Sequence, residues 1–260
     1  MKIKTIGTGN IYVADRSACT LIDDHILVDC GNGAVKTLLQ QGVNIAQIDA
    51  VLITHCHGDH TMDIPFLIID RQGIADQVKL QPLHIYCRRG LADKIYQIFN
   101  LFHPEVNVSE FMTAAKVEFS EFDSLNDAEV SPDYLVTSYE VQHHPQISAN
   151  GYVIQHDDIR LGFSGDCHLC EGVEAVIRAS DIVLLDTTSV EPSRPHMSVH
   201  DVISLVNEYH KPVIATHMGQ AARQYLMSER PDEITVPRDG DEFMLSKDAD
   251  GQLVIHRTTD

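Results

Sequence analysis

His55, His57, Asp59 and His60 fall within six residues of one another, in the run Thr54-His55-Cys56-His57-Gly58-Asp59-His60. Three imidazoles suit a borderline transition ion such as zinc, and the carboxylate adds a hard oxygen donor. Four ligands so close in sequence cannot all reach one ion without strain. The spacing therefore predicts that His55 and His57 serve one metal while Asp59 and His60 serve its neighbour. A chain with 15 histidines will cluster some by chance, but here the histidines alternate, an aspartate follows and an apolar run leads in.

That leading run, Ala50-Val51-Leu52-Ile53, reads as a fully buried strand. The ligands then sit in the loop at its carboxyl end, where α/β folds carry their chemistry. Other strand-like runs end on the same residue types. His143 follows the alternating segment 134–139, Asp166 follows 159–163 through Ser164-Gly165, and His217 follows 212–216. Three further strands thus offer the missing partners.

These residues and their order resemble the metallo-β-lactamase-fold hydrolases, and are most similar to the ribonuclease Z-like branch. The resemblance covers nearly the whole chain. Beside the metal motif it rests on Ile6-Gly7-Thr8-Gly9-Asn10, Leu27-Val28-Asp29-Cys30-Gly31, Pro82-Leu83-His84-Ile85-Tyr86 and His143-His144-Pro145 with Gly151-Tyr152. It continues through Ser164-Gly165-Asp166, Pro195-His196-Met197-Ser198 and Ala215-Thr216-His217. It implies an α/β fold, a four-layer αβ/βα sandwich, in one domain over residues 1–260. It also implies that His55, His57 and His143 bind one metal, that Asp59, His60 and His217 bind the other, and that Asp166 bridges. The cofactors would be two divalent transition metal ions, zinc by preference, with manganese or iron also accepted by N and O donors. Such a pair, roughly 3.5 to 4 Å apart, can share a hydroxide nucleophile. Asp59 and His196 are the residues the resemblance assigns to catalysis, with His196 helping the leaving group.

His143 has a competitor in His144. The related pattern places a proline two residues after the ligand, and Pro145 fits His143. Adjacent residues of a strand point to opposite faces, so only one of the two can be a ligand. His196 lies ahead of a segment whose Val199, Val202, Ile203 and Val206 have helical spacing, with Ser198 as N-cap. Asp29 and Asp186 each end an apolar strand, where a carboxylate could orient a ligand imidazole. The remaining histidines match no ligand pattern.

The elements around these residues read as one domain without a linker, low-complexity stretch or short repeat. Strands dominate residues 1–30 and then alternate with helices. A helical insert is expected around 62–102, with Leu91, Ile95, Ile98 and Leu101 or Phe102 as its buried stripe. No apolar stretch is long enough for a membrane span. Six scattered cysteines and the absence of a signal peptide pattern point to the cytoplasm. Cys167 and Cys170 have C-x-x-C spacing but lack the second pair of a zinc site and the thioredoxin-like context of a redox pair.

Charge selects among substrates. Lys plus Arg is 19 against 38 for Asp plus Glu, a net charge of −19. Nucleic-acid binders usually carry a basic stripe, and the nearest feature here is Arg88-Arg89 with Lys94, which reads as surface charge. The tRNA-processing relatives commonly insert a flexible arm between the third ligand histidine and the bridging aspartate. Here 23 positions separate His143 from Asp166, and a hairpin turning at Asp157-Asp158 fills them. The expected function is a phosphodiesterase acting on a small anionic ester, with nucleic acid disfavoured as a partner but left open, no membrane partner, and a homodimer as the superfamily's common habit. The alternatives are ribonuclease Z-type tRNA 3′ processing, a lactone or thioester hydrolase, and a non-catalytic metal-binding sensor.

Overall fold

The computed structural model describes residues 1–229 and 231–258. Six strands begin the chain: β1 (Lys2–Gly7), β2 (Cys19–Ile22), β3 (Ile26–Val28), β4 (Ala50–Leu52), β5 (Leu83–Arg88) and β6 (Val117–Phe122). Seven more follow: β7 (Ala128–Ser131), β8 (Tyr134–Val141), β9 (Ala149–His156), β10 (Ile159–Phe163), β11 (Ile182–Asp186), β12 (Val213–Thr216) and β13 (Ile234–Thr235). The last pair, β14 (Glu242–Lys247) and β15 (Leu253–Arg257), returns to the first six. One sheet runs β15-β14-β1-β2-β3-β4-β5-β6 and the other β13-β12-β11-β10-β9-β8-β7.

Side chains alternate between the two faces of a strand, and this sorts the apolar residues into layers. Ala50 and Leu52 of β4, Ile182 and Leu184 of β11, and Ile214 of β12 meet in one buried cluster between the sheets. Their neighbours Val51 and Ile53 face the opposite way. They pack under α1 (Ala34–Gln40), α3 (Ile64–Ile74), α4 (Leu91–Phe102) and α5 (Val108–Ala115); the one-turn α2 (Gly58–Thr61) precedes α3. Val183, Leu185, Val213 and Ala215 face the other side. There they meet α6 (Glu171–Ala179), α7 (Val199–Tyr209) and α8 (Gln220–Glu229). The result is the expected four-layer αβ/βα sandwich.

The helical insert expected around 62–102 needs correction. β5 interrupts it and pairs in parallel with both β4 and β6, so the segment is part of the first sheet and its outer layer. The buried stripe of α4 is Leu91, Ile95 and Phe99, while Leu101 and Phe102 are exposed at 74% and 63%. Burial at i, i+4 and i+8 selects Phe99, leaving the expected Ile98 half-buried beside the stripe.

In the outer layer of the first sheet, Arg71 is completely buried, and among the described residues no carboxylate pairs with it. Its guanidinium donates to the carbonyls of Ala115 (3.1 Å), Ile45 (2.7 Å) and Ile48 (3.1 Å), and also to that of Gln81. One side chain thus satisfies four carbonyls from three segments. Burial lowers its pKa to about 10, which still leaves it charged at neutral pH.

Candidate metal centre

The site forms where strands of both sheets end. β4 ends at Leu52, and its continuation carries Thr54 and His55 to the start of α2, whose short turn places Asp59 and His60. His143 follows β8, Asp166 follows β10 and His217 follows β12. Glycine permits close backbone approaches at two points of the site. A Cβ on Gly31 would lie 1.8 Å from the Asp59 carbonyl oxygen. Gly165 has φ +59, and a Cβ there would lie 2.7 Å from the Asn150 carbonyl. Asp29 (φ 62) and His217 (φ 52) adopt the same left-handed conformation without being glycine, a form of local strain that clusters at functional sites.

The structure brings the sequence-predicted residues together in two adjoining groups. Ring nitrogens of His55, His57 and His143 form one, and donor atoms of Asp59, His60, Asp166 and His217 form the other. In the first, His57 Nδ1 lies 3.0 Å from His55 Nε2 and 3.2 Å from His143 Nε2. Nitrogens bound tetrahedrally to zinc at roughly 2.0–2.1 Å would stand roughly 3.3 Å apart, so the spacing suits one ion. In the second, Asp166 Oδ2 is 3.3 Å from His60 Nε2 and 3.2 Å from His217 Nε2. The same oxygen is 3.8 Å from His55 Nε2, and so lies between the groups. Asp59 Oδ2 closes the second group at 3.3 Å from His217 Nε2.

The protonation chemistry differs between the groups. Burial lowers the pKa of His55, His57 and His143, which keeps their nitrogens neutral and available as donors. Burial would also lower His60 and His217, but the Asp166 carboxylate and its neighbours outweigh it. His60 is held well above its ordinary value and His217 reaches about 10. Burial opposes the charge of Asp166, yet His217 and His60 keep it ionised. This group therefore demands positive charge, which a dication satisfies. Among the described residues His60 Nε2 is buried without a hydrogen-bond partner while its other nitrogen is engaged, as expected of a ligand nitrogen. The donor set fits divalent metal ions.

Two carboxylates behind the ligands fix their tautomers, which follow from the hydrogen-bond network. Asp29 accepts from His60 Nδ1 at 2.8 Å. It also accepts from Thr54 Oγ1 at 2.9 Å, and Thr54 Oγ1 in turn accepts from His55 Nδ1 at 3.1 Å. Asp186 accepts from His196 Nδ1 at 2.8 Å and from Thr188 Oγ1 at 2.7 Å, and Thr188 accepts from His217 Nδ1 at 2.8 Å. The Nδ1 of each of these imidazoles is occupied, which leaves its Nε2 to face outward.

His143 is buried and donates through Nδ1 to the Pro195 carbonyl at 3.3 Å. His144 is exposed and bonds only locally, its Nδ1 accepting from Gln146 N. Of the two candidates, His143 is the one placed among the other imidazoles. His196 lies beside the second group without entering the first, its ring 5.0 Å from those of His143 and His217. Burial opposes its charge, but Asp186 raises its pKa. Ser198 caps α7 in a capping box with Asp201, which anchors the segment carrying His196. The Cys167 thiol and helix amides hold Cys170, the N-cap of α6, down to about 5. Gln142 N donates to its sulfur at 3.4 Å, so this pair ties the His143 strand end to the Asp166 loop.

Sequence reasoning missed Thr54 and Thr188, for which the only signal was a threonine beside a ligand or beside Asp186 at a strand end. It also set aside Arg88, Arg89 and Lys94, which line a cleft together with His55 and Cys56. Among the described residues, no helix is long and apolar enough to cross a membrane.

The profile of the Beta-lactamase superfamily domain matches residues 24–218. The chain is 27% identical over 229 residues to the ribonuclease Z of Metallosphaera sedula, covering 72% of this chain and 76% of that enzyme. It is 27% identical over 166 residues to the ribonuclease Z of Halorubrum lacusprofundi, covering 61% and 48%. It is 31% identical over 147 residues to human zinc phosphodiesterase ELAC protein 1, covering 51% and 40%. The chain thus spans less than half the length of these last two relatives. Among solved structures, the metallo-beta-lactamase fold protein YhfI from Bacillus subtilis superposes with a TM-score of 0.74 at 16% identity, covering 93% of this chain and 98% of that one. The short form of human tRNase Z superposes with a TM-score of 0.69 at 20% identity, covering 94% and 99%. The chain belongs to the beta-lactamase superfamily, with ribonuclease Z among its relatives, and it is a metal-dependent hydrolase.

Proposed function

We propose that this chain is a phosphodiesterase that cleaves a small phosphodiester at a dinuclear zinc centre. His55, His57 and His143 would hold one ion, Asp59, His60 and His217 the other, and Asp166 both. The single observation that carries this reading is Asp166 Oδ2, which stands within 3.8 Å of ligand nitrogens from both groups. When bound, the two ions would supply Lewis acidity toward a phosphoryl oxygen and an activated water for attack.

The chain's own residues do the rest. Asp29 and Asp186 hold four imidazoles in fixed tautomers, so the ligand nitrogens need no reorganisation during the reaction. Asp59, in the second group, orients the reacting centre through its place beside His217. His196, anchored by Asp186 through Nδ1, has Nε2 as its free proton-donating atom. The Asp186 carboxylate on Nδ1, at 2.8 Å, stabilises the imidazolium and aims Nε2 for donation to the departing oxygen.

The test is hydrolysis of bis(4-nitrophenyl) phosphate by the zinc-loaded chain, alongside an activated lactone and thioester. The proposal expects turnover of the diester, with His196→Ala reducing kcat by about 10²–10⁴-fold while metal content stays near two per chain. Turnover of the lactone alone would overturn it. A second reading, processing of tRNA 3′ ends, is favoured by the names of the curated relatives. It is opposed by the net charge of −19 and by the two-residue turn between β9 and β10, where His156 pairs with Ile159. Cleavage of a precursor tRNA with greater kcat/KM than any small diester would favour this second reading.

A further inference from the structure

Two clefts flank the histidines, and Ile147 lines both. The smaller, about 110 Å³, is bounded by Arg88, Arg89 and Lys94 on one side and by His55 and Cys56 of the metal motif on the other. No carboxylate is among its lining residues. In a chain with 19 lysines and arginines against 38 acidic residues, three cations on one small cleft beside the metal motif are not explained by composition.

The charges are not equally free. Asp123 pairs with Arg89, 2.9 Å from its Nε through each carboxylate oxygen. Glu121 is engaged by the amides of Gly90 at 2.8 Å and Ala92 at 3.2 Å. Arg88, by contrast, donates to the Asp123 backbone carbonyl, and Lys94 Nζ approaches only the Cys56 sulfur, at 3.7 Å. Among the described residues neither has an ion-pair partner, so two positive charges face the cleft without a counterion. A carbonyl steadies the Arg88 fork while leaving donors over, the arrangement that suits bidentate recognition of a phosphate.

We propose that this cleft is an anion subsite that takes a second phosphate of the substrate through Arg88 and Lys94. The inference rests on the phosphodiesterase reading and narrows it. Ligand pockets commonly measure roughly 300–1,000 Å³, so a cleft of about 110 Å³ receives a group and not a whole molecule. The larger cleft, about 510 Å³ and lined by His143, His168 and Arg194, is within the range for an organic body. The substrate class is therefore a phosphodiester that carries a terminal phosphate on one side of the scissile bond and a bulkier group, of nucleoside size, on the other.

The experiment uses the zinc-loaded full chain and three substrates: thymidylyl-thymidine, and the same dinucleotide with a terminal phosphate at either the 5′ or the 3′ end. The wild type is expected to favour one phosphorylated form by about tenfold in KM, a modest figure for one charge-assisted contact. Lys94→Gln and Arg88→Gln should each remove that preference, with kcat and the KM for the unphosphorylated dinucleotide unchanged. A wild type indifferent to both terminal phosphates, or variants that lower kcat on all three substrates alike, would overturn the subsite. If the wild type hydrolyses none of the three, the phosphodiesterase reading fails. The subsite is then decided by calorimetric binding of tripolyphosphate against orthophosphate. Weakening by about tenfold in the double variant for tripolyphosphate alone supports the subsite, and equal binding overturns it.

Discussion

Asp29 follows β3 in the first sheet and Asp186 ends β11 in the second, and each takes one imidazole directly and another through a threonine hydroxyl. The parts correspond: His60 and His55 with Thr54 on one side, His196 and His217 with Thr188 on the other. The surroundings do not. The His60 side chain is 1% exposed and its Nε2 is buried among ligand atoms, whereas the His196 side chain is 20% exposed at the edge of the site. Raised pKa values at both histidines come from the same physics, with carboxylates overcoming burial. One carboxylate-held imidazole is fit to be a ligand because it has nowhere else to direct its nitrogen. The other, under the proposed function, is placed to move a proton because its side chain stays open to solvent.

The widest test of that difference is to remove each histidine. His60→Ala is expected to lose bound metal and reduce kcat/KM by more than about 10³-fold. His196→Ala should retain metal and lose about 10²–10⁴-fold in kcat. Elemental analysis beside kinetics reads both, and loss of metal in His196→Ala would erase the distinction. A finer cut replaces the carboxylates. Asp29→Asn should weaken metal binding by about 10–100-fold, measured by competition with a chromogenic chelator. Asp186→Asn should reproduce the kinetic defect of His196→Ala with a smaller loss of metal. Finer still, Thr54→Val and Thr188→Val are each expected to cost about tenfold in metal affinity, and unequal effects would show that the relays are not equivalent.

The smallest effect calibrates the others. His25 and Asp49, at the opposite end of the strands, form a 3.0 Å pair outside both carboxylate hubs. The hydrogen bond that His25 Nδ1 donates to Asp49 raises the His25 pKa from its ordinary value, against the opposing effect of burial. A histidine raised on folding contributes stability that is complete below its unfolded pKa and is lost as pH rises through the folded value. Half-exposed, the pair is expected to contribute under about 1 kcal/mol. Denaturant midpoints should fall slightly as pH rises from 5 to about 8. Asp49→Asn should flatten that contribution.

Much of this arrangement was legible because its ligands are contiguous or mark strand ends. The run from His55 to His60 sits in one turn, and Pro145 singled out His143 over His144, although both lie past the end of β8, where strand alternation no longer applies. What stayed hidden depends on tertiary convergence. Thr54 and Thr188 are small polar residues whose relay exists only once Asp29 and Asp186 are brought beside them. Arg88, Arg89 and Lys94 looked like surface charge because their cleft is built from three separated stretches, at 53–56, 88–94 and 146–148. In α4 the spacing rule picked a face correctly at Leu91 and Ile95, then drifted to Leu101 and Phe102. The real stripe passes through Phe99, which packs under the sheet.

The division of the ligands between sheets has a mechanical consequence. His55, His57, Asp59 and His60 extend from the first sheet, while His143, Asp166 and His217 extend from the second. Under the proposed occupancy, each ion rivets the two sheets together, joining residues separated by 86 positions between His57 and His143 and by 158 between Asp59 and His217. At the far end the sheets are tied by Ser131, which donates to Asp49 at 2.8 Å. A chelator would therefore do more than silence the enzyme. It would remove the cross-links at the ligand end and leave the sheets held there by the Asn150 amide on the Thr54 carbonyl, 2.9 Å, and by the apolar cluster between them, and amide exchange should quicken first in the strand ends that carry the ligands.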